Sequence, residues 1–396
     1  MRRLIAVLLS VYAFPAAADT ITQTVYEGTL GKNPIVMEVR SATVDGKTLY
    51  AGQYYYTKYR GLIPLEAIAD GLMLGERPYC EEAQCPFTGT FTLTPTSAGL
   101  SGQWRASGKR TSVDVALKKV ATHAIVSPNP VREAGDLMVV DTVMEAPGKP
   151  VADDPFRFRR LNQDNLYGPE TVAGPVAYRT VTDKATGVHY LNLTRHPDAA
   201  VMKKVNATLD IERYFRLEGA LDCLSMKGFT GAGTTGGYDE TTEKVVYITP
   251  TLMAVEDSGS TYCGGAHPNN YWVIHTYDLR QGGELDFDRV LKLYNRPVGW
   301  KDGDDLPETA EYKALQAKLN PKSPWFAADV DPECLGEDVD SYGGGYSFSF
   351  NAKGLVVSRT DLPHALGACM GVYYVVPYAE LKALWRPEAK AYFPNL

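Results

Sequence analysis

The sequence predicts an α+β chain with an antiparallel β-meander or barrel domain over residues 19–120, a linker with some strand over 121–170, and a mixed α+β domain over 171–396. Three observations predict it. In the first third, apolar and polar residues alternate with a period of two, and Gly, Pro and Asp45-Gly46 interrupt the runs as hairpin turns do. Pro128, Pro130, Pro147, Pro150 and Pro155 then crowd a short stretch that no regular element tolerates. Beyond residue 171, strand-like and helix-like periods occur without strict alternation. The 396 residues, 44% hydrophobic and 22% charged, suffice for more than one core.

Met1–Ala18 reads as a secretory signal peptide, with Arg2 and Arg3 before an apolar stretch too short to span a bilayer and small residues Ala16–Ala18 at the cleavage position. Cleavage after Ala18 predicts a periplasmic or secreted protein without a membrane span. In the β domain, Ile35, Met37 and Val39 alternate with Val36, Glu38 and Arg40; Phe91 and Leu93 alternate with threonines; Val113, Val115 and Leu117 repeat the pattern. Tyr54, Tyr55, Tyr56 and Tyr59 share a strand region, so at least one ring is expected on an outer face. Leu137–Val143 is expected as a strand in the linker, followed by the basic Arg157, Arg159 and Arg160.

In the last domain, Tyr178–Thr182 and Val188–Leu193 form a predicted hairpin. Asp198 caps a helix on which Val201, Val205 and Leu209 recur. Strands are expected at Lys244–Ile248, Tyr271–Tyr277, Tyr346–Phe350, Leu355–Ser358 and Gly371–Val376, and helices at Leu306–Leu319 and Tyr378–Trp385. Asn192-Leu193-Thr194 and Asn206-Ala207-Thr208 match glycosylation sequons.

Six cysteines in an exported chain predict disulfides. Cys80 and Cys85 lie on one turn and pair locally. The other four allow three pairings; Cys223–Cys263 and Cys334–Cys369 are favoured because each staples neighbouring segments.

The formal charge of −7 argues against a nucleic-acid partner that works by neutralising phosphates. Residues 301–340 hold eleven acids against four lysines, a solvated face or one that steers a basic partner. Asp329, Asp331 and Glu333 match a calcium loop poorly, because Cys334 stands where the loop needs glycine. With no His-Glu-x-x-His and six scattered histidines, no metal or other cofactor is expected. The strongest candidate for chemistry is Tyr262-Cys263-Gly264-Gly265-Ala266-His267-Pro268. Its glycines suit a sharp loop, and its histidine titrates near neutral pH. A bland turn is the competing reading. A hydrolase using His267 lacks any nucleophile elbow.

The second half resembles the exported C-terminal domain of RsiV-type anti-sigma factors, which also occurs beside the catalytic domain of PdaC-type peptidoglycan deacetylases. The likeness is carried by Val205-Asn206, by Tyr262–Pro268 followed by Tyr277-Asp278-Leu279-Arg280-Gln281-Gly282, and by Lys353-Gly354-Leu355 followed by the Gly371–Tyr378 block. The resemblance implies a compact α+β domain that binds rather than catalyses, with lysozyme as the partner in the anti-sigma branch. Neither a sigma-binding segment nor the deacetylase's metal motif is found, so neither signalling nor deacetylation carries over. Where the family has a Tyr-rich run, this chain has Pro363–Cys369. The expectation is an envelope binding protein that recognises lysozyme, another basic wall-active protein, or peptidoglycan through Tyr262, Gly264, Gly265, His267, Asn269 and Asp278. The alternatives are a peptidoglycan-modifying hydrolase and a purely structural envelope module.

Overall fold

The computed structural model describes residues 20–77, 85–127, 129–139, 153–226, 237, 241–263, 267–296, 306–335, 346–360 and 362–394. The predicted signal peptide and the Cys80–Cys85 pairing lie outside these residues. The described residues divide into two compact units, one up to residue 139 together with Asp154–Phe156, the other Asp153 and the residues from Arg157 onward.

The first unit is a closed antiparallel barrel. Its strands are β1 (Thr20–Leu30), β2 (Asn33–Val44), β3 (Lys47–Tyr56), β4 (Ile63–Ala67), β5 (Leu72–Glu76), β6 (Gly89–Pro95), β7 (Gly99–Ala106) and β8 (Val113–Val126), each paired with the next, with β8 closing on β1. The alternating apolar set fills the interior: Ile35, Met37, Val39, Tyr54, Leu65, Leu74, Phe91, Leu93, Val115 and Leu117 form one core. Outward positions on β6 to β8 are exposed Thr92, Gln103, Arg105, Asp114 and Lys118. Apolar inside and polar outside is the reverse of a lipid-facing barrel.

The outer face of β1 to β3 is covered. Val131 and Leu137 pack on Ile21, Ala42 and Ala51, while Phe156 packs on Val25, Val36 and Tyr55. Residues 136–139 form a helical turn, α1 (Asp136–Val139), where a strand was expected, because Asp136 accepts hydrogen bonds from the Arg132 and Glu133 amides and winds the chain. This cover buries a polar network. Glu38 Oε2 accepts from Gln23 at 2.6 Å and pairs with Arg40 at 3.3 Å, Gln53 donates to its other oxygen, and Arg40 donates to the Leu137 carbonyl at 3.2 Å. Of the four neighbouring tyrosines, Tyr54 points into the barrel and Tyr55 lies under Phe156; Tyr59 is the exposed one, at 63%.

After α2 (Pro155–Leu161), the second unit opens with a small antiparallel sheet. Its strands are β9 (Asn165–Tyr167), β10 (Thr171–Ala173), β11 (Val176–Asp183) and β12 (His189–Arg195), which include the expected hairpin. The helix α3 (Ala199–Met226) begins at Asp198, whose carboxylate accepts from the Ala200 and Val201 amides. It runs well past its predicted apolar triad. The sheet β13 (Thr242–Ile248), β14 (Leu252–Thr261), β15 (Asn269–Asp278) places Met253, Val255 and Tyr277 against Val201, Val205 and Leu209 of α3. Its other face sets Ala254 and Ile274 against Val356 and Val372 of a third sheet, β16 (Tyr346–Phe350), β17 (Gly354–Arg359), β18 (Gly371–Pro377). That sheet shares a core with the short helices α4 (Phe287–Val290) and α5 (Ala310–Gln316) and the C-terminal turns.

The helix expected over 306–319 is shorter and starts later, because Thr309 Oγ1 accepts from the Tyr312 amide and caps it at Ala310. The closing helix expected over 378–385 is only a 3-10 turn, Tyr378–Leu381. Two disulfides, Cys223–Cys263 and Cys334–Cys369, staple this unit, with Cα separations of 5.0 and 5.3 Å. They fit a protein of an oxidising compartment. No helix among the described residues is long and apolar enough to cross a membrane.

Candidate functional site

β15 is central to the candidate chemistry, and the residues singled out from sequence fall at its two ends. Tyr262 and His267 precede the strand, and Asn269 begins it. Asp278 ends it, roughly 30 Å away for a ten-residue strand. Gly264 and Gly265 lie outside the described residues. Tyr262 exchanges backbone hydrogen bonds with Gly237 at 2.9 and 3.1 Å. His267 is exposed; its Nδ1 lies 3.0 Å from the Pro268 carbonyl, and its ring stacks on His364 with centroids 4.1 Å apart. Each of these histidines sits on a segment tied down by a disulfide, the first near Cys263 and the second near Cys369.

Asp278 does a different job. It is buried, and its Oδ1 accepts from the Arg280 and Gln281 amides at 2.7 and 3.0 Å, while Tyr392 donates to Oδ2. It shapes the turn in which Gly282 and Gly283 take φ of 82° and 91°, a conformation glycine adopts without strain. Asn206 of α3 is also structural: its side chain accepts from the Leu193 amide at 2.8 Å and donates to the Leu193 carbonyl at 2.9 Å, completing the edge of β12. The second sequon therefore presents an asparagine amide already engaged on both sides.

Two features emerge only in three dimensions. The first is a buried ionic cluster between α3 and the β13–β15 sheet. Arg216 pairs with Glu243 at 2.8 Å and with Asp257, and Glu243 also accepts from the Leu191 amide at 2.6 Å. Asp257 lies beside the Tyr271 hydroxyl, whose oxygen is buried. One guanidinium thus serves two buried carboxylates. Burial, with the negative charge of Asp257, pushes Glu243 up to about 7 against the pull of Arg216. A charge on the apolar face of a strand, as at Glu243 beside Val245 and Asp257 beside Val255, is the sequence signal that marks such a cluster.

The second feature is a cleft of about 410 Å³, lined by Val273, Ile274 and His275 of β15, by Tyr346, Ser347 and Phe348 of β16, and by Glu284, Asp286, Asp288 and Arg296 among others. His275 Nδ1 lies 3.1 Å from Glu284 Oε1. Burial opposes charging the ring, but the hydrogen bond and charge of Glu284, with Glu212 and Asp257, outweigh it and hold the His275 pKa above its usual value. Arg296 lies 3.6 and 3.4 Å from Asp286 and Asp288, and Asp288 also bonds Arg386 at 3.1 Å. Among the described residues no three His, Cys, Asp or Glu side chains gather as a metal site requires. Scans of protein-family models and of curated proteins find no match for the chain.

Proposed function

We propose that this chain is an exported, non-enzymatic binding protein of the cell envelope whose C-terminal unit recognises a cell-wall component or a basic wall-active protein such as lysozyme. One observation carries the reading: a cleft of ligand size, with a polar rim and aromatic walls, opens between two sheets of a disulfide-braced unit. The likeness of residues 171–390 to the RsiV-type domain supports it. A hydrolytic role for His267 gains nothing from the geometry, since its ring lies flat on His364 and its Nδ1 faces a backbone carbonyl. In the acidic 301–340 stretch, Glu311 is engaged with Lys292, and Asp331 accepts from the Glu333 amide. Asp329 and Glu333 are exposed and add negative field for a basic partner.

The test is binding of the mature chain to immobilised lysozyme and its co-sedimentation with purified peptidoglycan, at low and raised salt. The expected result is saturable binding to one of them that weakens with salt. No binding to either at low salt overturns the reading.

A further inference from the structure

We infer that one end of the barrel in the first unit is a binding site for an alkylammonium group, whose charge is met by Glu76 between the rings of Tyr56 and Trp104. The site belongs to the other unit from the cleft and is independent of the binding reading above. Strand parity places it. Glu76 lies two residues from the core residue Leu74 on β5, Trp104 four from Leu100 on β7, and Tyr56 two from Tyr54 on β3, so all three face the interior. They gather at the end where β1, β3, β5 and β7 finish. That end is open to water: Tyr56, Ile63 and Trp104 are half-buried, and Val113, at the start of β8, is 36% exposed.

Glu76 is a buried charge on this inner face, 8% exposed. Trp104 Nε1 donates to its Oε2 at 2.6 Å. The indole reaches it from β7 across β6 because Gly89 stands opposite Glu76; a Cβ on Gly89 would lie 2.4 Å from Nε1. No lysine, arginine or histidine pairs with Glu76 among the described residues. Its neighbour Arg77 is spent elsewhere, on Glu66 at 2.9 Å and on the ring of Phe87. The Tyr54 hydroxyl, buried beside Glu76 and Tyr56, makes no hydrogen bond among the described residues. A carboxylate has about four acceptor sites and is costly to bury without a counter-charge. The floor of this site therefore offers an unmatched negative charge and a spare hydroxyl.

The walls select an organic cation. A contiguous run of rings joins the mouth to the floor: Tyr56 and Tyr54 have centroids 5.6 Å apart, Tyr54 and Phe91 5.3 Å, and Phe91 and Trp104 6.5 Å. Aromatic faces attract a cation through their quadrupole, and more strongly where water is excluded. An ammonium N–H can donate to Glu76 and to the Tyr54 hydroxyl, while its alkyl chain lies against Ile63 and Val113. An anion meets Glu76 with like charge. A divalent metal ion finds one carboxylate where it takes six or more oxygens.

The probe is butylammonium, titrated into the mature chain while the indole N–H resonance of Trp104 is followed. The expected result is a saturable shift of that resonance. The neutral isostere butanol should bind about tenfold more weakly, because it lacks the charge that Glu76 and the rings attract. Glu76→Gln keeps an acceptor for Trp104 but removes the charge, and should also weaken butylammonium about tenfold. The butanol comparison uses the native protein, so it decides the matter even if Glu76→Gln does not fold. A response to Nα-acetyl-lysine methylamide as well makes a lysine side chain the source of the ammonium; a response to butylammonium alone makes it a free amine. Equal binding of butanol, an unmoved Trp104 resonance, or undiminished binding by folded Glu76→Gln overturns the proposal.

Discussion

Replacing Asp257 by asparagine removes one of the two carboxylates that share Arg216 and keeps the shape of the site. The asparagine oxygen still accepts from Arg216, and its amide can donate to the Tyr271 hydroxyl. In the native protein Glu243 is pushed from 4.5 to about 7, so between those values the folded chain holds a proton that the unfolded chain has released. A raised carboxylate pKa contributes stability that is complete below 4.5 and is lost as pH climbs through 7. For a shift of this size the loss is about 3 kcal/mol, an upper figure because the two acids titrate as a pair. In Asp257→Asn, Glu243 has Arg216 to itself and no like charge beside it, so the loss shrinks. Burial, the largest cause of the shift, remains, so the expected outcome is a shallower fall of stability with pH and a gain of about 1 kcal/mol at pH 8. The assay is urea unfolding of the mature chain at a series of pH values, following the transition of the second unit with disulfides intact. The same slope in both proteins, or a variant less stable at pH 8, refutes the reasoning.

Asn206→Ala is expected to lower the stability of the second unit by about 2 kcal/mol, because it leaves the Leu193 amide and carbonyl without their partners; thermal unfolding checks this. Glu38→Ala is expected to destabilise the barrel unit by about 3 kcal/mol, because Gln23, Gln53 and Arg40 lose the buried carboxylate that they share, and denaturant unfolding of that unit reads the loss.

The barrel was legible because period-two patterning is local. Ile35, Met37 and Val39 announce their inward face without reference to any other strand. What covers its outside was not legible. Glu38 and Arg40 alternate outward as the pattern requires, yet Leu137, whose carbonyl accepts from Arg40, and Phe156, which covers Val25, Val36 and Tyr55, arrive from the proline-rich stretch about a hundred positions later. The same limit governs the site. Val205 and Asp198 declare the start of α3, but the bond of Asn206 to β12 depends on how helix and sheet dock. The His267 loop stood out through its glycines and proline. Its stack on His364, the distance between Asn269 and Asp278, and the cleft at the edges of β15 and β16 follow from tertiary approach, which no local pattern records. Asp278 drew notice as part of a motif, and the motif's role proved to be turn formation, where an acid and two glycines suffice.

The central claim is that the second unit binds its partner in the cleft between β15 and β16. Ser347 lines that cleft from β16, with its hydroxyl 3.0 Å from the Thr360 hydroxyl, so Ser347→Trp places a large ring at the cleft wall and its unfolding transition shows whether the second unit still folds. The most direct measurement compares lysozyme and peptidoglycan binding by the native protein and by folded Ser347→Trp, with folding checked by the second-unit unfolding transition. The account predicts that the tryptophan variant keeps its transition and loses binding. Undiminished binding by the folded Ser347→Trp protein would contradict it.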